Sequence, residues 1–304
     1  MSSAAAGCGR ISVELHGEDA VFSQLAAAYP LKLLSPRIRQ PGLAIAYIIN
    51  YGGGLVSGDY VSLSAEVGPC ASLLLLSQGS TKVFKFRPGR RAASIDRIAL
   101  KVTTQQMDFV VASGSALFLL PDPVTCFHAA SYNQIQTFSL TQEASLVLLD
   151  WITSGRKSRG EEWLFSRYYS VNEIMVEGKR VAKDVMLLEN EDAAQATLPV
   201  RTLADRLAPY SCYATLFLYG PQVQGVIGAL KEVYGQISVL KSREPAELLW
   251  SLSALSDSGA VVRVAGKETE EVRRWLGEML RPLEVVLGKD VFRQAFQSGH
   301  ITTK

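Results

Sequence analysis

From residue 43 to about 265 the chain runs in short apolar or alternating segments, cut every few residues by Gly, Pro, Ser or Asp. That rhythm confines it to a strand-rich fold. The clearest segment is Tyr60–Val67, where Val61, Leu63, Ala65 and Val67 fall on one face and Tyr60, Ser62, Ser64 and Glu66 on the other, because successive strand side chains point oppositely. One face is packed and the other polar. Further strands are expected at Ser72–Ser77 and over 82–87, 98–102, 109–112, 135–140, 146–152, 172–176 and 213–219. Strands in this number and at this spacing call for a sandwich, a barrel or a coil of β-turns.

Two later segments carry the helical period instead. Val223, Val226, Ile227, Leu230, Val233 and Tyr234 form an apolar stripe, which predicts a helix over 221–234, opened by Gly220-Pro221 and stopped at Gly235. Val272, Trp275, Leu276, Met279, Leu283 and Val286 repeat the pattern over 269–287, with Glu268, Glu270 and Glu271 at the positive end of the helix dipole. Pro282 should kink this helix and Gly288 end it. Asp290 is placed to cap a short final helix through Phe296. Residues 189–194 (ENEDAA) read as an acidic loop, and residues 1–10 as a flexible start. No internal repeat and no long linker divides the chain, so a single domain over 1–304 is expected.

Composition excludes several function classes. Thirty-one Lys plus Arg against 29 Asp plus Glu leave a formal charge of +2, too small a field for phosphate-backbone binding, so nucleic acid is not expected as a partner. Four cysteines (Cys8, Cys70, Cys126, Cys212) stand far apart without a CxxC, which fits neither a zinc ribbon nor a disulfide framework and suits a reducing compartment. The start MSSAAAGCGR lacks a basic region followed by an apolar run. Apolar runs such as Leu73 to Leu76 are far short of a membrane span of about 20 residues. A cytoplasmic protein without membrane partners is expected.

Catalytic patterns are sparse. His16, His128 and His300 are scattered and no Ser sits in a GxSxG elbow, so a hydrolase triad has little support. The run Gly52-Gly53-Gly54-Leu55-Val56-Ser57-Gly58-Asp59 ends in Asp where a phosphate loop ends in Lys. It reads first as a tight turn, with glycines for positive φ, and second as a ligand loop. Gly79-Ser80-Thr81-Lys82 is either a turn entering a strand or a functional lining. Cys126 and His128 could offer a soft metal ion a sulfur and a nitrogen, although a lone cysteine is more often buried as a small hydrophobe. Asp150 follows an apolar run and would be costly to bury unpaired; Arg156 or Arg159 is its expected partner.

Taken in order, these segments resemble a known family. GGGLVSGDYVSLSAEVGPCASLLLLSQGSTKVFKF from Gly52, LPDPVTCF from Leu119 and LLDWITSGRKSRGEEW from Leu148 are similar to the signature of the urease accessory proteins called UreD or UreH. The similarity is clear over about 35–185 and looser through YSCYATLFLYGP and VVRVAG. It departs from the family pattern at Ser57, at Gln78 and in Pro121-Asp122-Pro123.

The resemblance implies a mainly β body of layered, β-helical or sandwich-like topology, with two to three α-helices in the C-terminal third. It implies no enzymatic activity and no tightly bound cofactor. The implied role is a scaffold acting with UreF and the GTPase UreG on apo-urease, with nickel in transit through an internal tunnel. Carried over by motif position, Asp59, Thr81, Lys82, Asp150, Glu161 and Asp184 are the lining candidates. Oxygen donors bind nickel less tightly than thiolate or imidazole clusters, which suits a conduit that must release its ion. Two competing readings remain: a partner-binding scaffold that carries no nickel, and a metal-dependent hydrolase built on Cys126, His128 and nearby acids, which would turn over substrate alone.

Overall fold

The computed structural model describes residues 5–38, 40–85, 102–189, 201–237 and 245–296. In chain order the strands are β1 (Cys8–His16), β2 (Asp19–Ala27), β3 (Leu31–Leu34), β4 (Leu43–Asn50), β5 (Tyr60–Val67), β6 (Ser72–Ser77), β7 (Thr81–Val83), β8 (Thr103–Val111), β9 (Ala116–Leu119) and β10 (Val124–Cys126). They continue as β11 (Ser131–Leu140), β12 (Ser145–Thr153), β13 (Gly155–Arg156), β14 (Glu161–Glu162), β15 (Arg167–Val176), β16 (Lys179–Glu189), β17 (Cys212–Tyr219), β18 (Leu248–Leu255) and β19 (Gly259–Gly266). The helices are α1 (Leu203–Leu207), α2 (Gln224–Gly235), α3 (Thr269–Met279), α4 (Glu284–Leu287) and α5 (Lys289–Phe296).

From β4 to β15 the chain winds as a coil, laying strands alternately into two sheets. One sheet has the order β16-β15-β11-β8-β5-β1-β2, and its five inner strands pair in parallel. The other follows β18-β19-β17-β12-β9-β6-β4-β3, parallel from β4 to β12, with β10 and β7 attached beside β12. Antiparallel strands close the ends: β2 and β16 on the first sheet, β3 and the β17-β19-β18 group on the second. The mainly β, layered and β-helical architecture is therefore present, with its helices in the C-terminal part.

The in-register parallel pairing stacks like on like between the sheets. Ile11, Ala65, Phe109, Phe138 and Ile174 form one continuous row, and the Phe109 and Phe138 rings stack at 4.9 Å with 6° between their planes. The second sheet is buried on both faces, which explains its unbroken apolar runs. Along β12, Leu146, Leu148 and Ile152 face the first sheet, while Val147, Leu149 and Trp151 lie under the helices. Val226, Ile227 and Leu230 of α2 and Val272 and Leu276 of α3 complete that outer layer.

Several local expectations need correcting. Residues 8–10 are not a loose start: β1 begins at Cys8 and pairs with both β2 and β5. The strand expected over 82–87 is the short β7, and the one expected over 98–102 falls outside the described residues except for residue 102, which is not in a strand. Glu189 closes β16, and the rest of the acidic run lies outside the described residues. The helix over 269–287 divides at Pro282, where a 3-10 turn separates α3 from α4. Helix α2 runs through Gly235 rather than stopping before it, and Asp290 sits inside the first turn of α5.

Replacing Phe138 by Ala empties a fully buried place in the stacked row, and we expect a loss of about 3–5 kcal/mol in denaturant unfolding. Ser139→Ala on the exposed face of the same strand should stay within about 0.5 kcal/mol.

Candidate functional site: a polar chamber between the sheets

The interior of the coil is not wholly apolar. On the first sheet, Gln105 of β8, Gln134 of β11 and Ser170 of β15 stand side by side facing inward. Met107, Gln136 and Asn172 form the next row, which continues to Asp184 on β16. Opposite them, Asp150 of β12 occupies the inward phase of a strand whose other inward residues are Leu and Ile. Its cross-strand neighbours are Thr215 of β17 and then Arg263 of β19.

Asp150 is 7% exposed and is held by neutral donors. Ser170 Oγ donates at 2.6 Å, Asn172 Nδ2 at 2.7 Å, Gln134 Nε2 at 2.9 Å and the Tyr168 hydroxyl at 3.3 Å. Among the described residues no cationic side chain forms an ion pair with it. The expected Arg156 partner is elsewhere: its guanidinium grips Glu161 through two hydrogen bonds of 2.8 and 2.6 Å and lies over the Phe127 ring. Arg159, exposed at the end of the same turn, makes no ion pair with Asp150 either. Burial of charge without a counter-ion is tolerated only when hydrogen bonds replace water, and four neutral donors do so here.

Asp150, Gln134 and Gln136 line a cavity of about 30 Å³, whose other walls include Ser77, Thr81, Asp122, Gln105 and Met107. That volume admits a single water-sized occupant. Gln136 Oε1 and Asn172 Oδ1 are buried and take no hydrogen bond from any described residue, so electron-rich oxygens are left over in the interior. Burial drives the Tyr132 and Tyr168 phenols far above their usual range, and the Asp150 carboxylate adds to the rise in both.

Outside lies a groove of about 1130 Å³ between the β6–β7 turn, the end of β12, α3 and α5. Ser77 and Asp122 line both spaces. Burial, and then the nearby Asp122 carboxylate, raises the Tyr47 phenol in this groove.

The sequence candidates separate on this frame. Thr81 and Asp150 line one cavity, and Asp184 sits in the adjoining polar row, where it accepts from Arg263 at 2.8 Å. Asp59 instead fixes the glycine turn, accepting from the Val56 amide at 2.8 Å. Lys82 is exposed, and its carbonyl accepts from the Leu55 amide. Glu161 lies in the small β13–β14 hairpin, its carboxyl held below the usual range by the Arg156 hydrogen bonds. Gly52, Gly53 and Gly58 adopt positive φ, and a Cβ on Gly54 would come within 2.4 Å of the Lys82 carbonyl oxygen. Cys126 is buried in the apolar core while His128 is exposed, so the two are not presented together. Among the described residues no group of three or more His, Cys, Asp or Glu is arranged to hold a metal ion.

The sequence reading missed Gln134, Gln136, Ser170 and Asn172. A signal existed: Gln134 and Gln136 share the phase of Phe138 and Leu140, and polar residues at core positions of a strand mark a site.

Asp150→Ala strands the Gln134, Ser170 and Asn172 donors, and it should lower stability by about 3 kcal/mol in a denaturant titration. Cys126 is driven up strongly by burial, and the Cys212 thiol is pushed up to about 12, also by burial. In the folded protein at pH 8, a thiol reagent should therefore label the exposed Cys70 and leave Cys126 and Cys212 unmodified until unfolding.

The family model described as UreD urease accessory protein matches residues 5–296. The chain is 38% identical to urease accessory protein 4 of Cryptococcus neoformans, over 90% of each chain. It is 37% identical to urease accessory protein UreD of Sorangium cellulosum, over 90% of this chain and 78% of the relative. Against urease accessory protein D of Arabidopsis thaliana the identity is 32%, over 92% of this chain and 98% of the relative. With a coil of this topology and a match along nearly its whole length, the chain belongs to the UreD family of urease accessory proteins.

Proposed function

We propose that this protein is a non-catalytic scaffold that binds apo-urease together with UreF and the GTPase UreG, and that nickel passes through its interior on the way to the urease active site. Membership of the UreD family supports the maturation role. The observation that carries the passage is the chamber: Asp150 and Gln136 present oxygen atoms to a cavity inside the coil, with the orphaned Asn172 oxygen in the same polar row, and Ser77 and Asp122 are shared with an open groove. Oxygen ligands are weak partners for nickel compared with thiolate and imidazole, so an ion held by them is also released. We place this work in the cytoplasm, where the four cysteines stay reduced; all four are free. No helix among the described residues is long and apolar enough to cross a membrane.

Within this reading the residues divide by task. Asp150, with Gln134, Ser170 and Tyr168 orienting its carboxylate, attracts the cation. Gln136 and Asn172 lend it amide oxygens. Thr81 offers a hydroxyl in the chamber, and Ser77 stands where chamber and groove meet. Asp184 with Arg263 forms the far end of the polar row.

The test is copurification with UreF and UreG, followed by nickel-dependent activation of apo-urease. Gln136→Leu removes an orphaned oxygen at nearly constant volume, so the fold should hold and the complex should still assemble. Activation should fall about tenfold, the scale on which loss of one polar group around a metal acts. Full activation by Gln136→Leu would place nickel outside the chamber and leave a scaffold that does not carry the ion. Failure to form the complex would remove the maturation role itself.

A further inference from the structure

The groove and the chamber meet at Ser77 and Asp122, and the chemistry of this shared wall is specific. Asp122 stands between Pro121 and Pro123, whose rings fix the backbone on both sides. One carboxylate oxygen accepts from the Gly79 amide at 3.0 Å, and the Asp122 amide donates to Ser77 Oγ at 2.7 Å. The other carboxylate oxygen is paired at 2.8 Å with Arg273, which reaches across from α3. Both side chains are mostly buried, at 22% and 14% exposed.

Arg273 is held in a place with a second option. Its guanidinium lies 5.1 Å above the Trp151 ring, and the Trp151 indole is itself fixed by donation to the Pro121 carbonyl at 2.8 Å. Its Nε makes no hydrogen bond to any described residue, and Glu270, one turn back on α3, stands 3.6 Å from it. One bond to Asp122 can therefore be exchanged for a closer pair with Glu270 without moving the helix. Among the described residues, Asp122 is the one carboxylate that lines both spaces.

We propose that Asp122 and Arg273 form a cation-exchanged latch in the wall between groove and chamber. A divalent cation arriving in the groove takes the Asp122 carboxylate, and Arg273 leaves it for Glu270, so the ion itself opens the way inward. A doubly charged ion competes with a single guanidinium for the carboxylate on charge alone. The latch rests on the reading of the chamber as a nickel path, because only an ion bound inward has use for it.

Trp151 supplies the readout, since its ring loses a cation when Arg273 departs. The full-length chain is titrated with Ni²⁺ while indole emission is followed, and affinity is measured in parallel by competition with a chromophoric chelator. In the wild type the emission should change and saturate. Trp151→Phe should remove the change and retain binding. Asp122→Asn, which keeps an acceptor for the Gly79 amide, should weaken binding and abolish the emission change. Arg273→Gln removes the competitor and should tighten Ni²⁺ binding about tenfold, within the usual range of couplings between two ligands.

Binding by Asp122→Asn equal to the wild type overturns the latch even if Arg273→Gln does not fold. Unchanged affinity in a folded Arg273→Gln does the same. The two proposals fail separately. Lack of urease activation by the wild type, with the Trp151 response intact, removes the maturation reading and leaves a cation site. Activation that depends on Gln136, with no effect of either wall variant on Ni²⁺ affinity, removes the latch alone.

Discussion

Everything in this molecule depends on strands that pair in parallel without slipping. From β1 through β5, β8 and β11 to β15, each inward position meets another inward position on the next strand. A shift of one residue anywhere would turn every later side chain to the other face. The same register that stacks Phe109 on Phe138 therefore also gathers Gln105 with Gln134, and Met107 with Gln136. The apolar core and the polar chamber are two readings of one alignment, a few residues apart along the same strands.

The two sheets solve different problems. The inner strands of the second are covered by helices and buried on both faces, so they are nearly all apolar, and Asp150 is an exception on β12. The first leaves its outer face to solvent, so its strands alternate and polar residues there are ordinary. What is unusual is a polar residue on its inner face. Asp150 accounts for several of them: buried from bulk solvent, its carboxylate needs donors, and Gln134, Tyr168, Ser170 and Asn172 supply them from the facing sheet. The chamber is thus partly a requirement imposed by one buried carboxylate.

The legibility of the fold follows from local contrast. Tyr60–Val67 and Ser72–Ser77 were read with their observed ends because one alternates cleanly and the other is a bounded apolar run. Strands β2 and β18 lie at sheet edges with no deeply buried face, and they left no such mark. Asp150 was visible as an ionisable residue in an apolar run. Its true partners were not, because Gln134, Ser170 and Asn172 reach it from another sheet, and sequence proximity favoured Arg156 and Arg159 instead. Parity along β11 was the missing step: Ile135 invited attention, yet Gln134 and Gln136 face inward. In the sequence Asp122 stands out as a departure from a family pattern, and the prolines around it fix its backbone.

The row that begins at Asp150 does not end inside. Through Thr215 it reaches Arg263, and through Asn172 it reaches Asp184, and those last two meet at the edge of the sandwich with Arg263 half in solvent. The sheets are stitched together by chain turns through most of the coil, but beyond the last turn the antiparallel strands β16 and β19 add an ion pair to the apolar core they share. Dissolved ions screen an exposed pair and leave packed side chains almost untouched. At this margin, then, the ion pair answers to ionic strength while the apolar side chains that Val261 and Met186 add to the core beside it do not.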